Sequence, residues 1–331
     1  MKHSIKIEGF SYKLRPVVIA DAGFIVQVRT GYGERSRYIH AISQDIPSQE
    51  SWIRTYYGRE GDYYFVIENR LTGKSEGLIG IYNLDVKERI VEWGRWIVVP
   101  GSLCAIESVY LLYRVIFEIL DLRGAYSRTL KENEPVVSFH DSLGALNQGV
   151  LVNAFEIDGT KRDAVKHFVD REAWEGRIHE KAERTSQLIF EKMLRKEISK
   201  MEFHHIGVAT RGVEKEMDYW KILGYSPEGD FFSDKLQGIR GVFIVAKNQP
   251  RLELLENLPE SRTMESWLKK GIKFYHYAYL VDDIDESIVL YTNRFRGKLI
   301  SPKKPSVAFG LRNICFIMFA NGFVIELIEK N

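Results

Sequence analysis

His204-His205-Ile206-Gly207-Val208-Ala209 returns, 71 residues further on, as Tyr275-His276-Tyr277-Ala278-Tyr279-Leu280. A second stretch, Arg251-Leu252-Glu253-Leu254-Leu255-Glu256, returns at nearly the same offset as Val324-Ile325-Glu326-Leu327-Ile328-Glu329. Self-similarity at one fixed offset marks a supersecondary unit used twice. Each copy opens on a strand pattern, continues through a helical pattern (Glu214 to Leu223; Ile284 to Phe295) and closes in further strands, so the second half reads as a duplicated βαβββ unit over about 202–257 and 273–329. In a strand, neighbours at i±2 share a face. Glu253 and Glu326 therefore point away from their flanking leucines and isoleucine, toward one surface of the sheet.

Each copy thus contributes one histidine near its start and one glutamate near its end. Pairing the copies about a pseudo-twofold axis would bring two imidazoles and two carboxylates to one point. Two imidazoles and two carboxylates form a mixed nitrogen and oxygen shell suited to one divalent ion of Co, Ni, Mn, Fe or Zn, with room left for substrate oxygens. Taken singly, each residue has an equally ordinary structural reading, and it is the matched repeat positions that favour the metal. His204 alternates to the other face and is expected to be structural.

Outward from this half, the chain has 331 residues, which at about 100 to 200 residues per domain makes two domains the expectation. Hydrophobic content of 45% beside 28% charged residues fits a water-soluble globular chain, and no apolar run has the length of a membrane span. The alternating start, Met1 to Glu8, lacks a continuous apolar signal segment, giving a cytoplasmic expectation. Cys104 and Cys315 lie in different halves and read as small buried hydrophobes. A net charge of +2 with acids and bases well mixed gives no reason to expect nucleic acid as a partner.

The first half mixes strands and helices. Tyr63 to Glu68, the turn Leu71-Thr72-Gly73-Lys74 and Gly77 to Tyr82 predict a β-hairpin. Ile90 to Val99 is a further strand, Pro100-Gly101 a turn, and Ile106 to Leu120 a helix. Ala125 to Leu130 is the next strand, Pro135 to Leu143 a short helix stopped at Gly144, and Ala164 to Asp170 the last strand. A charged amphipathic helix from about Ala173 to Lys200 connects the halves, dividing the chain into 1–198 and 199–331.

Residues 202 to 331 resemble the vicinal-oxygen-chelate superfamily, and within it the methylmalonyl-CoA epimerases. The resemblance rests on His204 to Val208, Leu252 to Glu256, His276-Tyr277-Ala278-Tyr279-Leu280-Val281-Asp282-Asp283-Ile284-Asp285 and Gly322 to Ile328. It implies that His205, Glu253, His276 and Glu326 ligate the metal, which in those epimerases binds thioester and carboxylate oxygens and stabilises an enolate. The chain departs from the pattern at Leu236, before Gln237-Gly238-Ile239, where the epimerases carry a glutamate base. Glu326 could take over that role, or the module could act as another isomerase, a lyase or a binding module.

Residues 10 to about 175 resemble the GNAT acetyltransferases, especially the branch with ribosomal-protein and amino-sugar N-acetyltransferases. The matching stretches, in order, are Tyr12 to Val17, Gly80 to Leu84, Glu92 to Pro100, Asn133 to Gly144, Asp158 to Lys166 and Glu172-Ala173-Trp174. The implied fold class is α+β in two domains: a mixed central sheet flanked by helices, then a domain of paired βαβββ modules. The implied cofactor is acetyl-CoA or another acyl-CoA, cradled at the turn formed by Val99, Gly101, Ser102, Leu103, Cys104 and Ala105, because free amides at a helix start attract phosphate. The usual inner glycine of that turn is missing here. Asn133 falls where the family contacts the CoA arm, and is equally a capping or turn residue. His140 falls where relatives place a tyrosine that protonates the leaving thiolate, and Glu92 is the candidate base; each also has a structural reading.

The resulting expectation is a bifunctional enzyme. An acyl-CoA-dependent N-acyltransferase for a small amine, such as a nucleotide-linked amino sugar, is joined to a metal-dependent epimerase, isomerase or lyase. Aromatic residues Tyr38, Trp52, Tyr56 and Tyr57, in the variable segment Tyr32 to Tyr57, could stack the acceptor or pack the core. The rival is a sensor or resistance-type protein that sequesters a chelating ligand beside a degenerate front scaffold. Both readings have small-molecule partners and leave a homodimer open.

Overall fold

The computed structural model describes residues 2–31, 38, 42–157 and 159–330. Much of the variable segment from Tyr32, and Asp158 of the closing front motif, lie outside the described residues. The chain forms two compact units, Met1–Met193 and Leu194–Asn331, so the division falls inside the connecting helix, a few residues before the 198/199 expected from the sequence.

The front unit is built on one sheet in the order β1-β2-β3-β4-β5-β6-β8-β7. Its elements run β1 (Ile7–Glu8), β2 (Tyr12–Pro16), α1 (Ala22–Thr30), α2 (Ile46–Tyr56), β3 (Tyr63–Asn69), β4 (Ser75–Asp85) and β5 (Ile90–Val98). Then come α3 (Ala105–Arg114), β6 (Gly124–Leu130), α4 (Glu134–Leu143), β7 (Leu146–Ile157), β8 (Thr160–Asp170), α5 (Arg171–Ala173) and α6 (His179–Ser199). The β3–β4 hairpin is antiparallel as its sequence predicts, its turn fixed by Asn69 Oδ1 accepting from the Leu71 amide at 2.8 Å and by Gly73 at φ +73°. The helix from Ala105 keeps α geometry only to Arg114, and Val115–Ile119 widens to a π-turn. Gly144, at φ +100°, ends α4 by accepting the left-handed conformation a C-cap needs. Strand β7 was not read from the sequence: its side chains are mostly exposed, so it shows no alternation to detect.

One departure from regular pairing makes the front cavity. Strands β5 and β6 are parallel neighbours for three pairs only, Ile90 with Gly124, Val91 with Ala125 and Glu92 with Tyr126. Beyond Glu92 they part. A bulge accompanies the parting: against β4, Leu78 faces Ile97 but Gly80 faces Gly94, and Arg95 takes a positive φ of 49°. Helix α3 packs Val109 to Tyr113 into the core beside the sheet, with Trp93, Phe117 and Trp174.

The rear unit is a second sheet in the order β10-β11-β12-β9-β13-β16-β15-β14. Its elements are β9 (Glu202–Ala209), α7 (Val213–Lys221), β10 (Ser226–Asp234), β11 (Ile239–Val245), β12 (Leu252–Asn257), α8 (Glu265–Lys269) and β13 (Phe274–Val281). They continue with α9 (Ile284–Val289), β14 (Lys298–Pro305), β15 (Asn313–Met318) and β16 (Val324–Glu329). The order is palindromic: each first strand pairs parallel with its own last strand, and the two first strands join antiparallel at the centre. This is the duplicated βαβββ unit expected from the sequence echo.

Candidate functional sites

The rear centre follows from register. Across the central pair, His205 on β9 lies opposite Ala278, and His276 on β13 lies opposite Gly207. Glu253 on β12 sits beside Gly207, and Glu326 on β16 sits beside Ala278. The duplication therefore places a histidine and a glutamate from each repeat around two small residues. Gly207 is required by space and not by backbone angle, since a Cβ there would lie 2.0 Å from His276 Cε1.

All four side chains are buried, and their candidate ligand atoms lie within 4.8 Å of one another. His205 Nε2 is 3.1 Å from Glu253 Oε2, 3.1 Å from His276 Nε2 and 3.4 Å from Glu326 Oε2. His276 Nε2 is 3.3 Å from Glu326 Oε2. These separations suit atoms that each stand about 2.0–2.2 Å from one shared ion. Glu326 Oε2 has no hydrogen-bond partner despite its burial, an arrangement a cation would satisfy.

Electrostatics point the same way. Burial drives His205 well below the ordinary histidine range and His276 down to about 4, so both imidazoles keep a lone pair to offer. Burial lifts Glu253 to about 7, and burial with the neighbouring Glu253 lifts Glu326 well above the usual carboxylate range. Without a cation the site thus favours protonated acids beside uncharged imidazoles, and a divalent ion would displace those protons and compensate the carboxylate charge. The residues fit a metal.

His204 is not turned away from this centre. Its Nδ1 lies 2.8 Å from His205 Nδ1, and Arg251 Nη1 lies 2.8 Å from its Nε2, so it braces His205 from behind. Aromatic rings of Phe243 and Phe309 pack on His205, and that of Phe316 on His276, at centroid distances of 5.3, 5.8 and 5.3 Å. At the place of the absent base, Leu236 is 64% exposed. Nearby Asp234 is buried and fully engaged, accepting from the amide and side chain of Gln237 at 3.0 Å each and from the Val307 amide. It ties the turn that carries Phe309 to the β10–β11 turn.

In the front unit the diverging ends of β5 and β6 bound a cavity of about 590 Å³. Its walls include Trp93 to Trp96, Ser127 to Leu130, Asn133 and His140. Asn133 caps α4 through its backbone only, leaving its side chain without a capping hydrogen bond. Of the four aromatic residues singled out for stacking, Tyr38 and Trp52 line the cavity. Tyr56 is core: fully buried, it stacks on Trp52 and its hydroxyl accepts from the Tyr64 amide at 2.7 Å. Tyr57 is a partly buried neighbour of the same cluster.

Two catalytic assignments change. His140 is 1% exposed, and burial drives it down to about 3. The depression favours its uncharged form near neutral pH, which weakens its reading as the imidazolium acid, and its Nε2 contacts Ser127 Oγ at 3.2 Å. Glu92 is 1% exposed and does not line the cavity. Its carboxylate accepts from Arg128 Nε and Nη2 at 2.8 and 2.9 Å and from Asn83 Nδ2 at 2.9 Å. Both oxygens are committed, so Glu92 positions Arg128 and is not a free base.

The turn after β5 keeps its expected outline. Gly101 takes φ +84° and leads into α3, whose start has no side-chain cap. Ser102 turns inward, its hydroxyl donating to Glu76 and accepting from the Cys104 amide. Glu107, in the first turn, accepts from the Ser11 and Tyr12 amides, and burial lifts it to about 7. Val99 and Leu103 flank the turn, Leu103 exposed, while Cys104 is buried as expected.

Comparison with known proteins agrees with both units. The profile of the acetyltransferase (GNAT) domain matches residues 12–145, and that of the glyoxalase/bleomycin resistance protein/dioxygenase superfamily matches residues 204–316. Among solved structures, a GCN5-related N-acetyltransferase from Brucella melitensis is 17% identical, covering 57% of this chain and 86% of its own, with a TM-score of 0.49. FdhC, a nucleotide-linked sugar GNAT, is 26% identical over 52% of this chain and 94% of its own, with a TM-score of 0.44. A variant of the spermidine N-acetyltransferase SpeG from Vibrio cholerae is 20% identical over 50% of this chain and 97% of its own, also at 0.44. The curated proteins give no match. Among the described residues no helix is long and apolar enough to cross a membrane. With one profile on each sheet, the chain carries a GNAT acetyltransferase domain followed by a domain of the glyoxalase/bleomycin resistance protein/dioxygenase superfamily.

Proposed function

We propose that the chain is a bifunctional enzyme whose front domain transfers an acyl group from acyl-CoA to a small amine and whose rear domain performs metal-dependent chemistry on a carbonyl compound. The observation that carries the rear half is the buried His205, Glu253, His276 and Glu326 cluster, assembled from both repeats. A divalent ion there would supply Lewis-acid charge beside substrate oxygens. The surrounding residues support this reading: His204 and Arg251 brace His205, Gly207 leaves space for His276, and aromatic rings pack over both imidazoles.

In the front domain the parted strands admit a thioester between them. The amine lone pair forms the new N–C bond and the C–S bond breaks with its electron pair on sulfur. The proton lost by nitrogen balances the one gained by sulfur, giving an amide and free CoA thiol. Backbone amides from Gly101 into α3 are the proposed phosphate cradle, and Asn133 offers its uncommitted side chain to the CoA arm. Titration of the full chain with acetyl-CoA, followed by calorimetry, tests this half: absence of binding removes the acyltransferase reading.

For the rear half, the metal-loaded protein is incubated in deuterium oxide with branched acyl-CoAs and keto-sugars. Exchange of the α-hydrogen that disappears in Glu326→Gln supports proton transfer at this centre. A second reading, a module that holds a chelating ligand without turning it over, is favoured by Leu236 at the base position and by the engagement of Asp234. Tight binding with no exchange supports that reading.

A further inference from the structure

The charge of the front cavity narrows its acceptor. Arg29, Arg95 and Arg128 line it, and among the described lining residues there is no aspartate or glutamate. The two carboxylates that pair with Arg95 and Arg128 stand behind them. Asp62, buried, accepts from Arg95 Nη1 and Nη2 at 2.6 and 2.9 Å, and Glu92, buried, accepts from Arg128 Nε and Nη2. A guanidinium has five N–H donors, so Arg95 and Arg128 each have three beyond the two given to the carboxylate. Each pair is therefore oriented, with its acid withdrawn into the protein and its cation at the cavity wall.

Aromatic faces hold the guanidinium groups flat. Arg95 lies 4.6 Å from the Tyr82 ring centroid and 5.8 Å from that of Trp52, and Arg128 lies 5.0 Å from that of Phe155. Planar, pre-oriented donors of this kind match the oxygens of phosphate or carboxylate. A polycationic amine would meet like charge and, among the described lining residues, no opposing carboxylate.

We infer that the acceptor is an amine that also bears an anionic group, phosphate or carboxylate, seated on Arg95 and Arg128. This rests on the acyltransferase reading above and specifies its substrate class. The same cations also disfavour a protonated amine beside them, which promotes the neutral, nucleophilic form without an unpaired base.

The full chain is assayed with acetyl-CoA and four amines, reading CoA release: glucosamine, glucosamine 6-phosphate, UDP-glucosamine and spermidine. The first two differ only in the anion, and the third separates a nucleotide-borne phosphate from a simple one. Expected is a kcat/KM at least about tenfold higher for an anion-bearing amine than for glucosamine or spermidine, declining with added salt. Arg95→Gln alone strands buried Asp62, so the pair Arg95→Gln with Asp62→Asn is used beside Arg95→Lys. The pair should raise KM for the anionic amine roughly tenfold more than it raises KM for glucosamine, and Arg95→Lys should fall between. Preference for spermidine or glucosamine, equal use of all four, or a silent panel while acetyl-CoA binds would each overturn the inference. Failure to bind acetyl-CoA overturns the acyltransferase reading itself, and this inference with it.

Discussion

Replacing Gly207 by alanine tests the rear centre with one methyl group. The added Cβ would stand 2.0 Å from Cε1, 2.3 Å from Nδ1 and 2.5 Å from Nε2 of His276, a ring that is itself buried. Contacts under 3.0 Å are not tolerated, so the imidazole must leave its position or β9 and β13 must separate. Overpacking of this kind costs about 1–3 kcal/mol in the metal-free protein. The effect on the metal should be larger, because one of four ligands is displaced and even indirect disturbance of a ligand costs about 10–100-fold in affinity. At an ion concentration of about 100 Kd, binding stabilises the wild type by about 2.7 kcal/mol, and a hundredfold weaker site gives up nearly all of that. The assay is metal content by mass spectrometry after gel filtration, with thermal melts with and without the ion. Gly212→Ala is the control, since nothing lies within 4 Å of its Cβ position. Wild-type metal content and an undiminished metal-dependent shift in Gly207→Ala would refute the assignment of His276 as a ligand.

Further outcomes follow from the same geometry. The double substitution His205→Ala and His276→Ala should abolish bound metal, measured by the same mass spectrometry, since both imidazoles meet at 3.1 Å. Binding should release protons at neutral pH, because burial holds Glu253 up to about 7 and Glu326 well above the usual carboxylate range in the metal-free protein; calorimetry in buffers of different ionisation enthalpy reads this, and a binding enthalpy that does not depend on the buffer would count against it. His140, depressed to about 3, favours the fold above its ordinary pKa of about 6.5, and that contribution is lost as pH falls from there toward 3. His140→Gln should therefore be more acid-tolerant in a urea melt at pH 5 relative to pH 7, and the acyl-transfer rate should show no limb near 6.5 that the substitution removes. Glu92→Gln should destabilise the front unit by about 1.5–3 kcal/mol in chemical denaturation, because Arg128, itself partly exposed at the cavity wall, loses its charge-assisted pair.

The rear architecture was legible because duplication writes itself into the sequence. Two copies of one pattern give both the βαβββ unit and the matched positions of His205, Glu253, His276 and Glu326, with no knowledge of side-chain angles. His204 was misjudged because strand alternation describes faces of a flat ribbon, whereas its ring reaches back to His205 Nδ1 at 2.8 Å. In the front unit the ordered motifs gave the fold, but the chemistry at Glu92 and His140 depends on partners far off in sequence. Arg128 stands 36 residues from Glu92, and no local pattern announces that it takes both carboxylate oxygens. Burial of His140 likewise depends on Trp93 and His167 closing around it. Arg95 was visible only as part of a motif; its positive φ inside a strand is a tertiary fact.

The palindromic rear sheet has one more implication. Each repeat supplies one histidine and one glutamate to the cluster, so either half alone is no more than a two-toothed grip on an ion. Tight binding needs the β9–β13 seam closed, across 71 residues of chain. Retention of the ion is thus a coincidence signal: it reports that two separately encoded halves have both folded and met in register, and a chain truncated within either half should pass through a metal-affinity or chelator challenge as if it had no site at all.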